Sequence, residues 1–120
     1  MPFKGLGECQ IVELNNGSVM VNARNELSRL SRNGTQGQNP SPDHRAFAIS
    51  NDGGSSFGAY RFSEDLVEPV CMAGLITFHG VLYFSNPAMT SERRQMTLKK
   101  SLDQGATVRR RRRRVGAPSR

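Results

Sequence analysis

The 120-residue chain has no tryptophan, only two cysteines and two histidines, and no apolar run of membrane-spanning length. Each shortage closes off a class of function. Cys9 and Cys71 lie in separate apolar stretches with no CxxC or Cys/His ligand spacing. They read as buried free thiols, not as zinc ligands or a disulfide framework. His44 and His79 read as turn or surface residues, since nothing pairs either with a nucleophile. No metal site and no cofactor is implied. A spanning helix needs about 20 apolar residues, and the N-terminus lacks the charged-then-apolar pattern of a secretory leader. The expectation is a soluble chain without a transmembrane segment. Its hydrophobic content of 36% is low even for the one ordinary domain that this length allows.

Positive charge is the one surplus. The formal net charge is +7, yet Arg109–Arg114 is an unbroken run of six arginines and Arg120 adds a seventh. Without those seven, 10 basic residues face 10 acidic ones, so Met1–Val108 is formally neutral. The basicity belongs to a tail and not to a binding face. Residues 109–120 have no apolar periodicity and are predicted to be a disordered basic tail after a folded part at 1–108. Such a run can hold phosphates without sequence choice, which makes nucleic-acid binding through the tail one alternative. The other reading is a truncated or out-of-frame gene end, and specific nucleic-acid recognition is not expected.

One local pattern occurs twice. Ser50-Asn51-Asp52-Gly53-Gly54-Ser55-Ser56-Phe57 and Ser101-Leu102-Asp103-Gln104-Gly105-Ala106-Thr107-Val108 both read S-x-D-x-G-x-[S/T]-apolar, with Asp52 and Asp103 51 positions apart. The residue types suit a tight turn between strands. The short Asp side chain can accept from neighbouring backbone N–H groups, glycine tolerates positive φ, and Ser or Thr adds a second local acceptor. The closing apolar residue, Phe57 or Val108, would pin the turn against the next strand. One such turn every 50 or so residues is what stacked propeller blades leave in a sequence.

The strand signals agree. Cys9–Leu14 and Ser18–Ala23 are β-prone runs joined by Asn15-Asn16-Gly17, a strong hairpin signal. Asn25–Asp43 is polar and rich in Gly and Pro, hence a long surface loop, with room for one helical turn at Leu27–Leu30. Arg45–Ser50 and Ala59–Phe62 complete four strands, followed by a connector at Ser63–Pro69. Ala73–Phe78 and Val81–Ser85, joined at His79-Gly80, begin a second meander, and Gln95–Ser101 follows the loop Asn86–Arg93. The fold class is all-β, about two four-stranded antiparallel blades.

At this point the sequence resembles a known family. Gly7-Glu8-Cys9-Gln10-Ile11-Val12-Glu13-Leu14-Asn15-Asn16-Gly17-Ser18, then Val21-Asn22-Ala23-Arg24, Leu66-Val67-Glu68-Pro69-Val70-Cys71 and Leu82-Tyr83-Phe84-Ser85-Asn86-Pro87-Ala88 follow the motif order of exo-α-sialidases (neuraminidases). The flavour is closest to the animal lysosomal sialidases and their bacterial relatives. The turns at Ser50, Asp52, Gly54 and Phe57 and at Ser101, Asp103, Gly105 and Thr107 look like that family's Asp-boxes. The resemblance covers about Gly7 to Thr107. It implies a partial six-bladed β-propeller whose parent enzyme hydrolyses terminal α-linked sialic acids with retention, using a tyrosine nucleophile. The substrate it implies is a sialylated glycan. It also implies that Glu8 activates the tyrosine. Arg24 and Arg93, with Arg94 the alternative to Arg93, would clamp the substrate carboxylate through their planar guanidinium forks. On residue type alone, each of these would be a solvated surface charge.

The departures matter equally. The family's upstream triad arginine and acid/base aspartate have no counterpart in this sequence. The arginine run stands where the approach to the nucleophilic tyrosine would be, Tyr60 and Tyr83 do not match it, and the Asp-box tryptophan is replaced. The expectation is a fragment that is inactive alone, with unpaired edges and apolar faces that favour aggregation. A non-catalytic sialoglycan-binding module is the alternative. Following the lysosomal relatives would place the chain in the lysosome or at a membrane, and otherwise in the cytoplasm or outside the cell; oligomeric state stays open.

Overall fold

The computed structural model describes residues 5–28, 42–106 and 108–111. Eight strands follow one another: β1 (Leu6–Glu13), β2 (Val19–Asn25), β3 (His44–Ser50), β4 (Arg61–Val67), β5 (Gly74–Phe78), β6 (Val81–Pro87), β7 (Met96–Ser101) and β8 (Arg109–Arg111). β1 to β4 pair in sequence order as one antiparallel sheet, and β5 to β8 as a second. The all-β architecture of two four-stranded meanders is the one the sequence predicts. No described helix is long and apolar enough to cross a membrane. Leu27 and Ser28 enter the expected helical turn; the rest of Leu27–Leu30 lies outside the described residues.

Turn chemistry sets the hairpins. Gly17 takes φ +82° in the β1–β2 turn, where Asn16 Oδ1 accepts from the Ser18 amide at 2.9 Å and the Ser18 hydroxyl at 2.6 Å. His79 and Gly80 are both left-handed, at φ +47° and +75°, as a two-residue hairpin turn with matching twist requires.

Three expectations are corrected. β4 runs through Ser63 to Val67, where the sequence suggests a connector. It is the outer strand of its sheet, so Glu64 and Asp65 face solvent and break the apolar alternation that marks a strand. Order also continues past Val108, because Arg109–Arg111 pair with Leu98–Lys100 as β8. Backbone hydrogen bonding can recruit an edge strand whatever its side chains. Finally, both cysteines are free, as expected, but half-buried instead of buried.

The two S-x-D turns fold alike. Ser50 Oγ donates to Asp52 Oδ1 at 2.7 Å and accepts from the Gly54 amide at 2.9 Å. Ser101 Oγ likewise donates to Asp103 Oδ1 at 2.8 Å and accepts from the Gly105 amide at 2.8 Å. Gly53 and Gly54 (φ +71° and +94°) are matched by Gln104 and Gly105 (φ +60° and +93°). A Cβ at 105 would also come to 3.0 Å from Met20 Cε, so the end of that side chain would have to shift slightly. Val108 packs on the core and Phe57 is half-buried, while Thr107 lies outside the described residues.

In the first turn Asp52 also accepts from the Ser56 hydroxyl, and from the Ser56 amide at 2.8 Å. These bonds, the Ser56 hydroxyl first, favour the anion and lower the Asp52 pKa to about 2. A depressed carboxylate stabilises the fold above its unfolded-state pKa, and the effect fades as pH falls through the folded one. The stability difference between wild type and Asp52→Asn is therefore expected to be constant above about pH 5 and to shrink as pH falls through about 2. Urea melts across that range check it; a difference that stays flat would rule the turn out as the cause.

The sheets pack face to face. Val12, Leu14, Met20 and Leu66 of the first meet Ala73, Leu75, Leu82 and Phe84 of the second. Their relative direction is fixed at one end. Gln104 Oε1 accepts from the Asn15 amide at 2.6 Å, and Gln104 Nε2 donates to the Gly80 carbonyl at 2.9 Å. The β1–β2, β5–β6 and β7–β8 turns thus cluster together. The start of β1, the end of β2 and the β6–β7 loop consequently share the opposite end.

Candidate functional site

That opposite end gathers the charged residues singled out in the sequence. Gly7 pairs with Arg24 and Cys9 with Ala23, so Glu8 is the extra residue of a bulge. Its φ of +31° is rare for a residue with a Cβ, and such strain concentrates where a side chain must be aimed. The bulge turns the Glu8 carboxylate across to β2. There Arg24 Nη1 donates to Glu8 Oε2 at 2.7 Å.

Arg24 is held from a second side. Its Nε lies 2.6 Å from Glu26 Oε1, an ion-pair contact in which the N–H is not aligned as a hydrogen bond. The guanidinium is largely buried, while Glu8 remains half exposed. The Glu8 hydrogen bond raises the Arg24 pKa, with Glu26 adding to it and burial opposing. The buried, always-charged fork thus stands between two carboxylates, Glu8 at Nη1 and Glu26 at Nε.

Arg93 sits exposed in the loop before β7, at the same end of the sheets. Its neighbour Arg94 is committed to Glu92. The structure therefore joins Glu8 to Arg24 directly and leaves Arg93 without a partner among the described residues. The cavity between the sheets, ≈ 40 Å³ and lined by Met20, Leu75, Phe84 and Lys99 among others, involves none of the three.

No protein-family model matches the chain. It is, however, 33% identical to a sialidase of Micromonospora viridifaciens over 113 residues, 86% of this chain and 16% of that protein. It is 35% identical to a sialidase of Bacteroides fragilis over 109 residues, 83% of this chain and 18% of that protein. Among solved structures it superposes on Hadza microbial sialidase Hz136 with a TM-score of 0.64 and 30% identity, over 87% of this chain and 19% of that one. The chain is a stretch of the sialidase family. It spans less than a fifth of the length of these relatives.

Within this sialidase stretch, sequence reasoning passed over the group that supports the site. Arg45 and Glu68 are both fully buried, with Arg45 Nη1 donating to Glu68 Oε2 at 2.8 Å. Arg45 also donates to Asn22 Oδ1 through Nε and to the Cys71 carbonyl through Nη1, each at 2.8 Å. Its guanidinium lies 5.8 Å from the centre of the Phe84 ring. Glu68 Oε1 accepts from the Asn25 amide at 2.7 Å, one residue beyond Arg24. The pair thus ties β2, β3 and the chain after β4 to the second sheet. A signal was present: Glu68 stands between apolar residues and Pro69, where burial demands an opposite charge. Lys99 is a second buried cation, donating from Nζ to the Asp65 carbonyl at 2.7 Å across the sheets.

Proposed function

We propose that this chain supplies part of the active site of an exo-α-sialidase acting on terminal α-linked sialic acids of glycoproteins, gangliosides and oligosaccharides. In this reading the two four-stranded sheets, with Arg109–Arg111 as the last strand of the second, are about two blades of a six-bladed β-propeller, and the S-x-D turns are its Asp-boxes. One observation carries it. Glu8 and Arg24, far apart by residue type alone, are brought to 2.7 Å by a bulge at the end of the sheets that also bears Arg93.

The chemistry follows from those groups. The sialic acid carboxylate docks on the guanidinium forks of Arg24 and Arg93. Glu8 takes the hydroxyl proton of a tyrosine contributed from outside this sequence, since Tyr60 and Tyr83 do not match it, and that oxygen bonds the anomeric carbon as the glycosidic C–O bond breaks. A second acid from the rest of the propeller protonates the leaving oxygen, and water later releases the sugar with net retention. A neutral phenol suits this task because it approaches an anionic substrate without carboxylate repulsion. The same arginines serve the alternative, sialoglycan binding without turnover, since the clamp needs no nucleophile.

The test is saturation-transfer NMR on the folded 120-residue chain with an α-sialoside and a matched galactoside, alongside a fluorogenic sialoside assay. The expected result is transfer to the sialoside only and no turnover. Equal transfer to both sugars would overturn the site. Turnover abolished by Glu8→Ala would show that the nucleophile is already present.

A further inference from the structure

Asn86 lies at the end of β6, opposite Thr97 of β7, and is 1% exposed. Its backbone belongs to the second sheet, but its side chain reaches the first. Asn86 Nδ2 donates at 2.8 Å to the carbonyl of Val67, the last residue of β4. Apolar packing alone would leave the two strand ends free to slide, whereas a hydrogen bond weakens steeply when distance or angle changes.

The loop that follows depends on that anchor. Pro87 ends β6 with a fixed φ and no N–H. The Ala88 amide then donates to the Gln95 carbonyl at 3.1 Å, and Thr97 Oγ1 donates to the same carbonyl at 2.7 Å. The loop is thus pinched shut at its base, directly beyond Asn86. Residues 90–95, Arg93 among them, stand exposed. Where Arg93 points from is therefore set by how the base is held.

Arg24 is held from the same spot. Val67 is followed by Glu68, whose Oε1 accepts from the Asn25 amide at 2.7 Å, one residue after Arg24. Neighbouring residues joined by one planar peptide carry both attachments. That peptide is itself fixed, since the Glu68 amide donates to the Asp43 carbonyl at 2.7 Å and Glu68 Oε2 accepts from Arg45 at 2.8 Å.

We propose that Asn86 is a positioning residue, which sets where the Arg93 loop stands relative to Arg24 by tying both to the Val67–Glu68 segment. Its purpose rests on the sialic acid reading: one carboxylate held by two guanidinium groups tolerates little change in their spacing, and a misplacement of about 1 Å can cost a large factor. Asn86 acts through the loop and not by touching the ligand.

The test is a double-mutant cycle of α-sialoside affinity, by NMR titration of the full chain, over wild type, Asn86→Leu, Arg93→Ala and the two combined. Asn86→Leu keeps the volume and removes the donor. It is expected to weaken binding roughly tenfold in the wild-type background, within the range for residues of one network, and to change nothing further once Arg93 is replaced. Equal weakening in both backgrounds would mean that Asn86 only braces the sheets, and overturns the proposal. Backbone order parameters of residues 88–95 give a second reading without ligand. They are expected to fall in Asn86→Leu while those around Asn16 and Asp103, at the other end of the sheets, hold. A wild type that binds no sialoside removes the proposed function and leaves the loop to decide: falling order there sustains the positioning role, and unchanged order overturns it. Should Asn86→Leu fail to fold, Asn86→Ser, whose side chain is one bond shorter, takes its place.

Discussion

Glu68→Ala is expected to destabilise the fold by about 3–5 kcal/mol, the cost typical of removing one partner from a buried ion pair. Arg45 would be left charged, fully buried and without its counter-ion, and the Asn25 amide would lose its acceptor. Few small domains tolerate that loss, because the whole of their stability is only about 5–15 kcal/mol. The reciprocal change, Arg45→Ala, should cost a similar amount. The double change Arg45→Met with Glu68→Leu should recover most of it, since apolar side chains of similar volume avoid the desolvation that the pair suffers. Chemical denaturation of the four proteins checks this. Single and double variants falling by the same amount would mean that the pair's packing, and not its charge, matters.

Arg24→Ala is expected to weaken binding of a sialoside by roughly ten- to a hundredfold, as loss of a hydrogen bond to a charged group costs about 1.5–3 kcal/mol. It also leaves Glu8 and Glu26 facing each other without the cation between them, which adds repulsion toward an anionic ligand. Arg24→Lys should restore part of the affinity, because a point charge remains while the bidentate fork is lost. Binding curves from NMR titration of the folded chain separate these cases. Wild-type affinity in Arg24→Ala would remove it from the clamp. A loss that Arg24→Lys does not relieve at all would point to collapse of the Glu8 bulge instead.

The site and the fold were legible in the sequence to different depths. β1, β2, β3, β5, β6 and β7 announced themselves as β-prone runs bounded by turn residues. Asn16-Gly17, His79-Gly80 and the two S-x-D segments marked their turns because only certain residues accept those backbone angles. The stretch of β4 from Ser63 on and the whole of β8 escaped notice for the converse reason. Edge strands owe their place to backbone bonds with a neighbour, and neither Glu64-Asp65 nor a row of arginines carries a pattern that says so.

Glu8 and Arg24 could be named from motif order, but their meeting depends on the bulge. One extra residue between Gly7 and Cys9 shifts which side chain crosses to β2, and a shift of one reverses every face of a strand. The Arg45–Glu68 pair shows the same limit. Two charges 23 positions apart become partners only when β3 and the chain after β4 are packed under the second sheet.

The sequence by itself determined the strand-and-turn order and the 51-residue repeat, because these rest on local backbone preferences, whereas the residues proposed for a carboxylate clamp came from the resemblance of motif order. Tertiary structure alone decided which charges touch and which are buried. Those outcomes depend on how the two sheets stack, and stacking is a property of surfaces that no single stretch of chain contains.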